Sequence, residues 1–281
     1  MGARPIVLSI AGFDPSSGAG ITADIKTAAA MGCYAVTCVT ALTVQSTQGV
    51  FGVQPVRPEL VRQTLFRLAD DVEFAAVRIG MLGSSEVANV AADFLRQSKP
   101  PNVVLDPVLR SSSGAALLDD ADLRVVRGQL LPLSDVVTPN FEEALLLTGI
   151  DKDTRLADSW HGMSDIVREL AVQLHRLGSK AVVITGGHLQ EANDYLSSMT
   201  AGEISERVFR GSRIESKATH GTGCAFAMAL ACGLASGLTL VEAVGGAKAF
   251  VRDAISASYR VGKGVGPMNH LFRLNLNEDT E

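Results

Sequence analysis

The sequence predicts an α/β fold, with one central, mostly parallel sheet covered by helices on both faces. Three observations predict it. Continuous apolar runs such as Ile6-Val7-Leu8-Ser9-Ile10 and Val103-Val104-Leu105 have the pattern of strands buried on both faces. Segments with helical apolar spacing alternate with these runs along the chain, as in successive β-α units. Gly-, Ser- and Pro-rich stretches follow several strands, at the carboxyl ends where an open α/β sheet binds its ligands. The chain has 281 residues, 47% of them hydrophobic, enough to build one large core. No repeat, low-complexity tract or linker divides it, so residues 1–281 read as a single domain.

The elements follow in order. The first strand runs into a loop, Ala11-Gly12-Phe13-Asp14-Pro15-Ser16-Ser17-Gly18-Ala19-Gly20, too rich in Gly, Ser and Pro to be regular. A helix over Ile21–Met31 is stopped by Gly32. Cys33–Leu42 is β-rich and ends in a polar loop over 43–49. Val50–Val56 reads as a short strand in a small β excursion, and Glu59–Leu68 as a helix. Ala75–Ile79 is a strand closed by Gly80-Met81-Leu82-Gly83, after which Ser84 caps a helix to Gln97. The strand Asn102–Asp106 stops at Pro107. A helix over Asp120–Leu131 and a strand over Asp135–Pro139 precede a helix begun by Asn140. Asp165–Leu177 is an amphipathic helix, Ala181–Thr185 a strand, and Tyr195–Ile214 a hairpin around Gly202. Two helices, over 223–236 and 240–258, complete the core, and the tail after Leu274 is polar.

Composition excludes several functions. The formal net charge is −5 and no Lys/Arg run occurs, which argues against nucleic-acid and anionic-membrane partners. No apolar run is long enough to span a bilayer, and the N-terminus lacks the pattern of a signal peptide. Cys33, Cys38, Cys224 and Cys232 form no C-x-x-C pair, which fits a reducing, cytoplasmic setting.

The stretch Thr219-His220-Gly221-Thr222-Gly223-Cys224 opens an Ala/Leu-rich helix. Free N–H groups at such a helix start form an anion site, and a thiol in the first turn has its pKa lowered. An ordinary loop-to-helix junction with a buried structural cysteine is the alternative. Asp106 ends an apolar strand, where a carboxylate needs a cation or a donor, or else caps a loop. Glu143 stands three residues beyond Asn140, either converging with Asp106 on a hydrated Mg²⁺ or solvated in the first turn of its helix. His188 and His220 flank the anion stretch and, as loop histidines, are read as structural. No phosphate-binding P-loop, dinucleotide fingerprint or Cys/His metal spacing occurs.

Eight segments in order then resemble one family: Ala11–Gly20; Asp24-Ile25-Lys26-Thr27; Ile79-Gly80-Met81-Leu82; Leu105-Asp106-Pro107-Val108; Thr138-Pro139-Asn140 with Glu143-Ala144; Thr185-Gly186-Gly187-His188; His220–Cys224; and Val261–Pro267. Together they are similar to the hydroxymethylpyrimidine/phosphomethylpyrimidine kinases of thiamine biosynthesis, in the ribokinase superfamily. The resemblance implies a ribokinase-like fold with a small β flap. It implies ATP- and Mg²⁺-dependent phosphorylation of 4-amino-5-hydroxymethyl-2-methylpyrimidine, and then of its monophosphate, by a homodimer. It makes Gly221, Thr222, Gly223 and Cys224 the anion hole, with Cys224 as base. It puts the pyrimidine against Gln45, Asp24, Gly12, Ala19, Met81 and Val108, the metal at Asp106 and Glu143, and ATP near Asn140, Thr185 and Gly187. Two lysines common in the family are absent, with Ser112 and Thr185 in their places. A pyridoxal kinase, sharing fold and anion hole, is the rival enzyme, and a non-catalytic protein on a kinase scaffold is the rival of another class.

Overall fold

In the computed structural model, residues 3–109, 120–150, 160–187 and 191–274 are described. Alternation along the strands builds the layers. In β1 (Ile6–Phe13), Leu8 and Ile10 enter one core while Val7 points into the other. The next elements are α1 (Gly20–Ala30), β2 (Tyr34–Ser46), β3 (Gly49–Pro55), α2 (Pro58–Asp71), β4 (Ala76–Ile79), α3 (Ser85–Ser98) and β5 (Val103–Leu105). After these come α4 (Asp120–Val125), a π-helical turn (Val126–Leu130), α5 (Leu131–Leu133), β6 (Val136–Val137), α6 (Phe141–Thr148) and α7 (Trp160–Arg176). The chain continues with β7 (Ala181–Ile184), β8 (Asp194–Thr200), β9 (Glu203–Phe209), α8 (Thr222–Ala235) and α9 (Leu240–Ser256).

The strands form one sheet in the order β3-β2-β1-β4-β5-β6-β7-β8-β9. The six central strands β2, β1, β4, β5, β6 and β7 run parallel, and antiparallel pairings close the edges, β2 with β3 at one and β7 with β8 and β8 with β9 at the other. One core packs α2, α3, α6 and α7 against the sheet, and the other packs α1, α8 and α9. Helix α8 reads TGCAFAMALACGLA and is buried almost all round, because small Ala side chains let it lie close to the sheet.

Local signals set the helix starts. Ser84 accepts from Val87 N–H at the start of α3, and Asn140 with Glu143 forms a capping box on α6. Two expectations change. Residues Ala11–Phe13 continue β1, and Thr43–Ser46 continue β2 instead of forming a loop, because β3 pairs with them from Ala41 to Ser46. The helix expected over Asp120–Leu131 is interrupted by the π-helical turn that contains Gly128. Arg110–Gly114, including Ser112, and His188 lie outside the described residues.

Candidate active site

The carboxyl ends of the parallel strands open into one cleft. Its first wall is the loop after β1. The Asp14 carboxylate accepts hydrogen bonds from Ser16 N–H (2.8 Å), Gly18 N–H (3.0 Å) and Ala19 N–H (2.9 Å), and from the Ser16 hydroxyl (2.7 Å). His220 Nε2 lies 2.8 Å from the same carboxylate. Burial alone would raise the pKa of Asp14, but the bonds from His220 and Ser16 hold it down at about 2.

This loop meshes with the anion stretch through backbone. A Cβ on Gly221 would lie 1.8 Å from the Gly18 carbonyl oxygen, and its φ is +77°. Only glycine fits there. A Cβ on Gly18 would strike the His220 ring at 2.2 Å. Gly221 is the N-cap of α8, so Gly221, Thr222, Gly223 and Cys224 begin that helix at the cleft, as the sequence predicts.

Behind the turn sits an ion cluster. Arg78, in the middle of β4, is fully buried and reaches Asp24 at 3.0 Å and Asp106 at 2.5 Å. Gly80 leaves room for the guanidinium, since a Cβ there would lie 2.1 Å from it. Asp24 also accepts from the Ser9 hydroxyl at 2.5 Å. Burial raises Asp24 to about 6 against the pull of Arg78, and pushes Asp106 upward in the same way. Opposite charges beside it keep Arg78 ionised despite its burial. The expectation that Asp106 needs a cation is met by Arg78.

Cys224 corrects one expectation. Its thiol stands beside Arg78, Asp106 and Gly20. Burial pushes it up to about 12, with Arg78 pulling down and the carboxylates of Asp106 and Asp24 pushing up. The partial charge of a helix end does not outweigh burial beside two carboxylates. Cys224 is partly buried, and the upward direction of its shift makes it a thiol. Cys232 is buried on α8 with a raised pKa, as expected of an inert thiol.

The remaining predicted residues divide. Gly12, Ala19, Gln45, Met81, Val108, Asn140, Thr185, Gly187, Asp106 and Glu143 all line the cleft. Asp24 does not: it is fully buried and paired with Arg78. Glu143 is not a solvated first-turn carboxylate. It is buried, and accepts from Asn140 N–H (3.0 Å) and Leu109 N–H (3.2 Å). Burial, with Asp106 adding to it, raises Glu143 to about 7.

Sequence reasoning missed Asp14, Arg78 and the bonding of His220. Two of these had signals. Asp14-Pro15-Ser16 is an Asx-turn pattern. Arg78 is a lone charge inside the apolar strand Ala76-Val77-Arg78-Ile79.

On the far side, Thr185 N–H donates to the Pro139 carbonyl at 2.9 Å, which places Thr185 beside Asn140. Gly186 N–H donates to Asp194 (3.0 Å), which also holds Lys248 (2.8 Å). Arg210, Arg213 and Lys217 are exposed along this rim.

A strand-end cleft that joins a Gly-rich helix start to buried carboxylates is suited to phosphoryl transfer. The model of the phosphomethylpyrimidine kinase family matches residues 14–269. The chain belongs to the phosphomethylpyrimidine kinase family. It is 40% identical over 270 residues to the hydroxymethylpyrimidine/phosphomethylpyrimidine kinase of Streptomyces coelicolor, covering 96% of each chain. It is 41% identical over 275 residues to the enzyme of that name from Rhizobium meliloti, covering 95% of this chain and 97% of that one. Among solved structures it is similar to the phosphomethylpyrimidine kinase of Clostridium difficile, with a TM-score of 0.77 and 32% identity over 90% of this chain and 100% of that one. It is also similar to an ADP complex of Bacillus subtilis pyridoxal kinase, with a TM-score of 0.84 and 33% identity over 97% and 100% of the two chains. The ribokinase-like fold is thereby established for this member of the family. Among the described residues no helix is long and apolar enough to cross a membrane.

Proposed function

We propose that the protein transfers the terminal phosphoryl group of ATP to 4-amino-5-hydroxymethyl-2-methylpyrimidine, and then to the resulting monophosphate, in thiamine biosynthesis. The observation that carries this is the position of Cys224. It stands at the start of α8, beside Gly20, Arg78 and Asp106, between the ring pocket and the Asn140–Thr185 side of the cleft.

The pyrimidine lies against Gly12, Ala19, Met81 and Val108, with Gln45 at its polar edge. Its hydroxymethyl group then faces Cys224. ATP lies against Asn140, Thr185 and Gly187, where Arg210, Arg213 and Lys217 supply cations in place of the family lysines. The N–H groups of the Gly221–Cys224 turn meet the charge that develops on the transferring group, already aimed and costing no reorganisation. As the hydroxyl oxygen bonds to the transferred phosphorus and the phosphorus–oxygen bond to ADP breaks, the thiolate of Cys224 takes the hydroxyl proton. The thiol first loses its own proton to solvent, which the neighbouring Arg78 guanidinium favours, with Asp106 oriented by Arg78 next to it.

Asp106 and Glu143 would hold Mg²⁺. Both are buried, and they repel one another. Among the described residues no cluster of three or more metal-binding side chains occurs, which suits a hydrated ion brought by the nucleotide over an all-protein cage. When bound, that ion neutralises phosphate charge. A homodimer has an apolar surface available, since Leu42, Val44 and Phe51 are exposed on the β2–β3 flap.

The test is ADP formation with the pyrimidine, its monophosphate and pyridoxal as separate acceptors, the products being weighed by mass spectrometry. Mono- and diphosphate of the pyrimidine are expected, with pyridoxal the poorer acceptor. Preference for pyridoxal would assign the rival activity, and no ADP above background with any acceptor would leave the kinase scaffold non-catalytic. Asp106→Asn is expected to cut turnover and weaken the Mg²⁺ dependence.

A further inference from the structure

His220 stands at the point where the ring pocket meets the anion hole. Its Nε2 lies 2.8 Å from Asp14 Oδ2 and 3.1 Å from Gln45 Nε2. The Thr43 hydroxyl lies 3.1 Å from Gln45 Oε1 and 3.0 Å from the Phe13 carbonyl oxygen.

Donor and acceptor logic leaves one arrangement. Asp14 is ionised and accepts only, so the nitrogen facing it must carry a proton. A lone pair at that distance from a carboxylate oxygen would be repelled. Two donors cannot face one another, so the Gln45 amide is turned end for end, which brings its carbonyl oxygen to His220. The two ends of an amide are assigned from such networks. Its NH₂ then meets the Thr43 hydroxyl. That hydroxyl has one proton, which goes to the Phe13 carbonyl, so its lone pair is left for the amide. The His220 Nε2–H, one Gln45 N–H and the Thr43 hydroxyl each then have an acceptor. One Gln45 N–H and one oxygen lone pair remain, and Gln45 lines the cleft.

We propose that His220 is a specificity-determining positioning residue. Its Nε2–H, shared between Asp14 and Gln45, holds the Gln45 amide in one orientation. The cleft therefore favours a ring edge that carries an acceptor nitrogen next to an exocyclic N–H donor. The backbone supports the same role. The His220 ring packs where a Gly18 side chain would be, and His220 N–H donates to the Gly266 carbonyl at 3.1 Å. Two adjacent residues thus serve two ends of the substrate, His220 through Gln45 at the ring and Gly221 at the phosphoryl group. This inference rests on the reading that Gln45 meets the pyrimidine.

Three measurements test it. In the wild-type protein, long-range ¹H–¹⁵N spectra of the histidines are expected to show a proton on Nε2 of His220 at neutral pH. A neutral ring protonated only on Nδ1 overturns the proposal. His220→Phe, which keeps a ring against Gly18, is expected to raise KM for the pyrimidine about tenfold, the loss of roughly one hydrogen bond, with kcat and the KM for ATP within about threefold. A fall in kcat with an unchanged pyrimidine KM would make His220 a brace of the anion hole only, and overturns it. Gln45→Leu separates the two readings. Combined with His220→Phe it is expected to be no worse than Gln45→Leu alone. If Gln45→Leu leaves the pyrimidine KM unchanged, the placement of the pyrimidine at Gln45 fails. If Gln45→Leu raises it and His220→Phe does not, the placement stands and the role of His220 fails. The spectra decide the matter should His220→Phe not fold.

Discussion

The two halves of the cleft are built differently. On the ring side, Asp14 gathers loop N–H groups, Arg78 ties Asp24 to Asp106, and Gly18, Gly20 and Gly221 bring three backbone segments into contact. Most polar groups there are buried and paired, although among the described residues Asp24 Oδ1 and Arg78 Nε have no hydrogen-bond partner. On the side proposed for the nucleotide, Asn140, Thr185 and Gly187 line the cleft, with Arg210 and Arg213 exposed on its rim. Selection of one small ring needs fixed donors and acceptors in a dry wall, because an unpaired buried polar group rejects the wrong substrate. A triphosphate needs charge, which exposed cations supply at little structural cost. Substitutions on the ring side should therefore change stability and chemistry together, and those on the nucleotide side should change affinity alone.

The largest expected effect is at Arg78. Arg78→Met strands two buried carboxylates and is expected to cost about 3–5 kcal/mol, seen as a lower midpoint in urea unfolding. Arg78→Lys should lose less. A midpoint unchanged by Arg78→Met would break the contrast, since the ring side would then not depend on its ion cluster.

Next comes Cys224. Cys224→Ala is expected to slow single-turnover phosphorylation by about 10² or more with little change in pyrimidine affinity, because the proton moves in the transition state. Cys232→Ala, eight residues on in the same helix, is the control expected to match wild type. A wild-type rate for Cys224→Ala would make that thiol a packing residue, with the proton leaving to water or a phosphate oxygen.

Glu143 sharpens the contrast at the boundary of the two halves. Its folded pKa of about 7 lies above the ordinary value of 4.5, so the native state favours the protonated acid. Its stabilising contribution is full below pH 4.5 and is lost as pH rises through 7. Relative to Glu143→Gln, the wild-type protein should lose roughly 1–3 kcal/mol between pH 5 and pH 8. Mg²⁺ binding should strengthen over the same interval, since the ion favours the carboxylate. Parallel stability curves for the two proteins would show that Glu143 does not titrate there.

The smallest effect is expected at Thr185. Thr185→Ala should raise KM for ATP by about two- to fivefold and leave that for the pyrimidine and the unfolding midpoint unchanged. A comparable loss of stability would show the nucleotide side to be as interlocked as the ring side.

Much of this was legible in the sequence. Continuous apolar runs mark the parallel strands because both faces are covered, and Gly-rich segments at their ends mark the cleft. The turn before α8 and the capping pair Asn140–Glu143 are local, so neighbouring residues suffice to define them. Contacts between distant segments were not legible. Asp24 reads as a cleft residue until Arg78, 54 positions away, is seen to pair with it. The Cys224 thiol reads as acidic from its helix start, but burial next to Asp106 and Asp24 decides otherwise. His220 reads as an ordinary loop histidine until Asp14, 206 positions away, fixes its proton. Periodicity and caps depend on near neighbours in the chain. Charge, burial and tautomer depend on neighbours in space, and only the tertiary structure decides those.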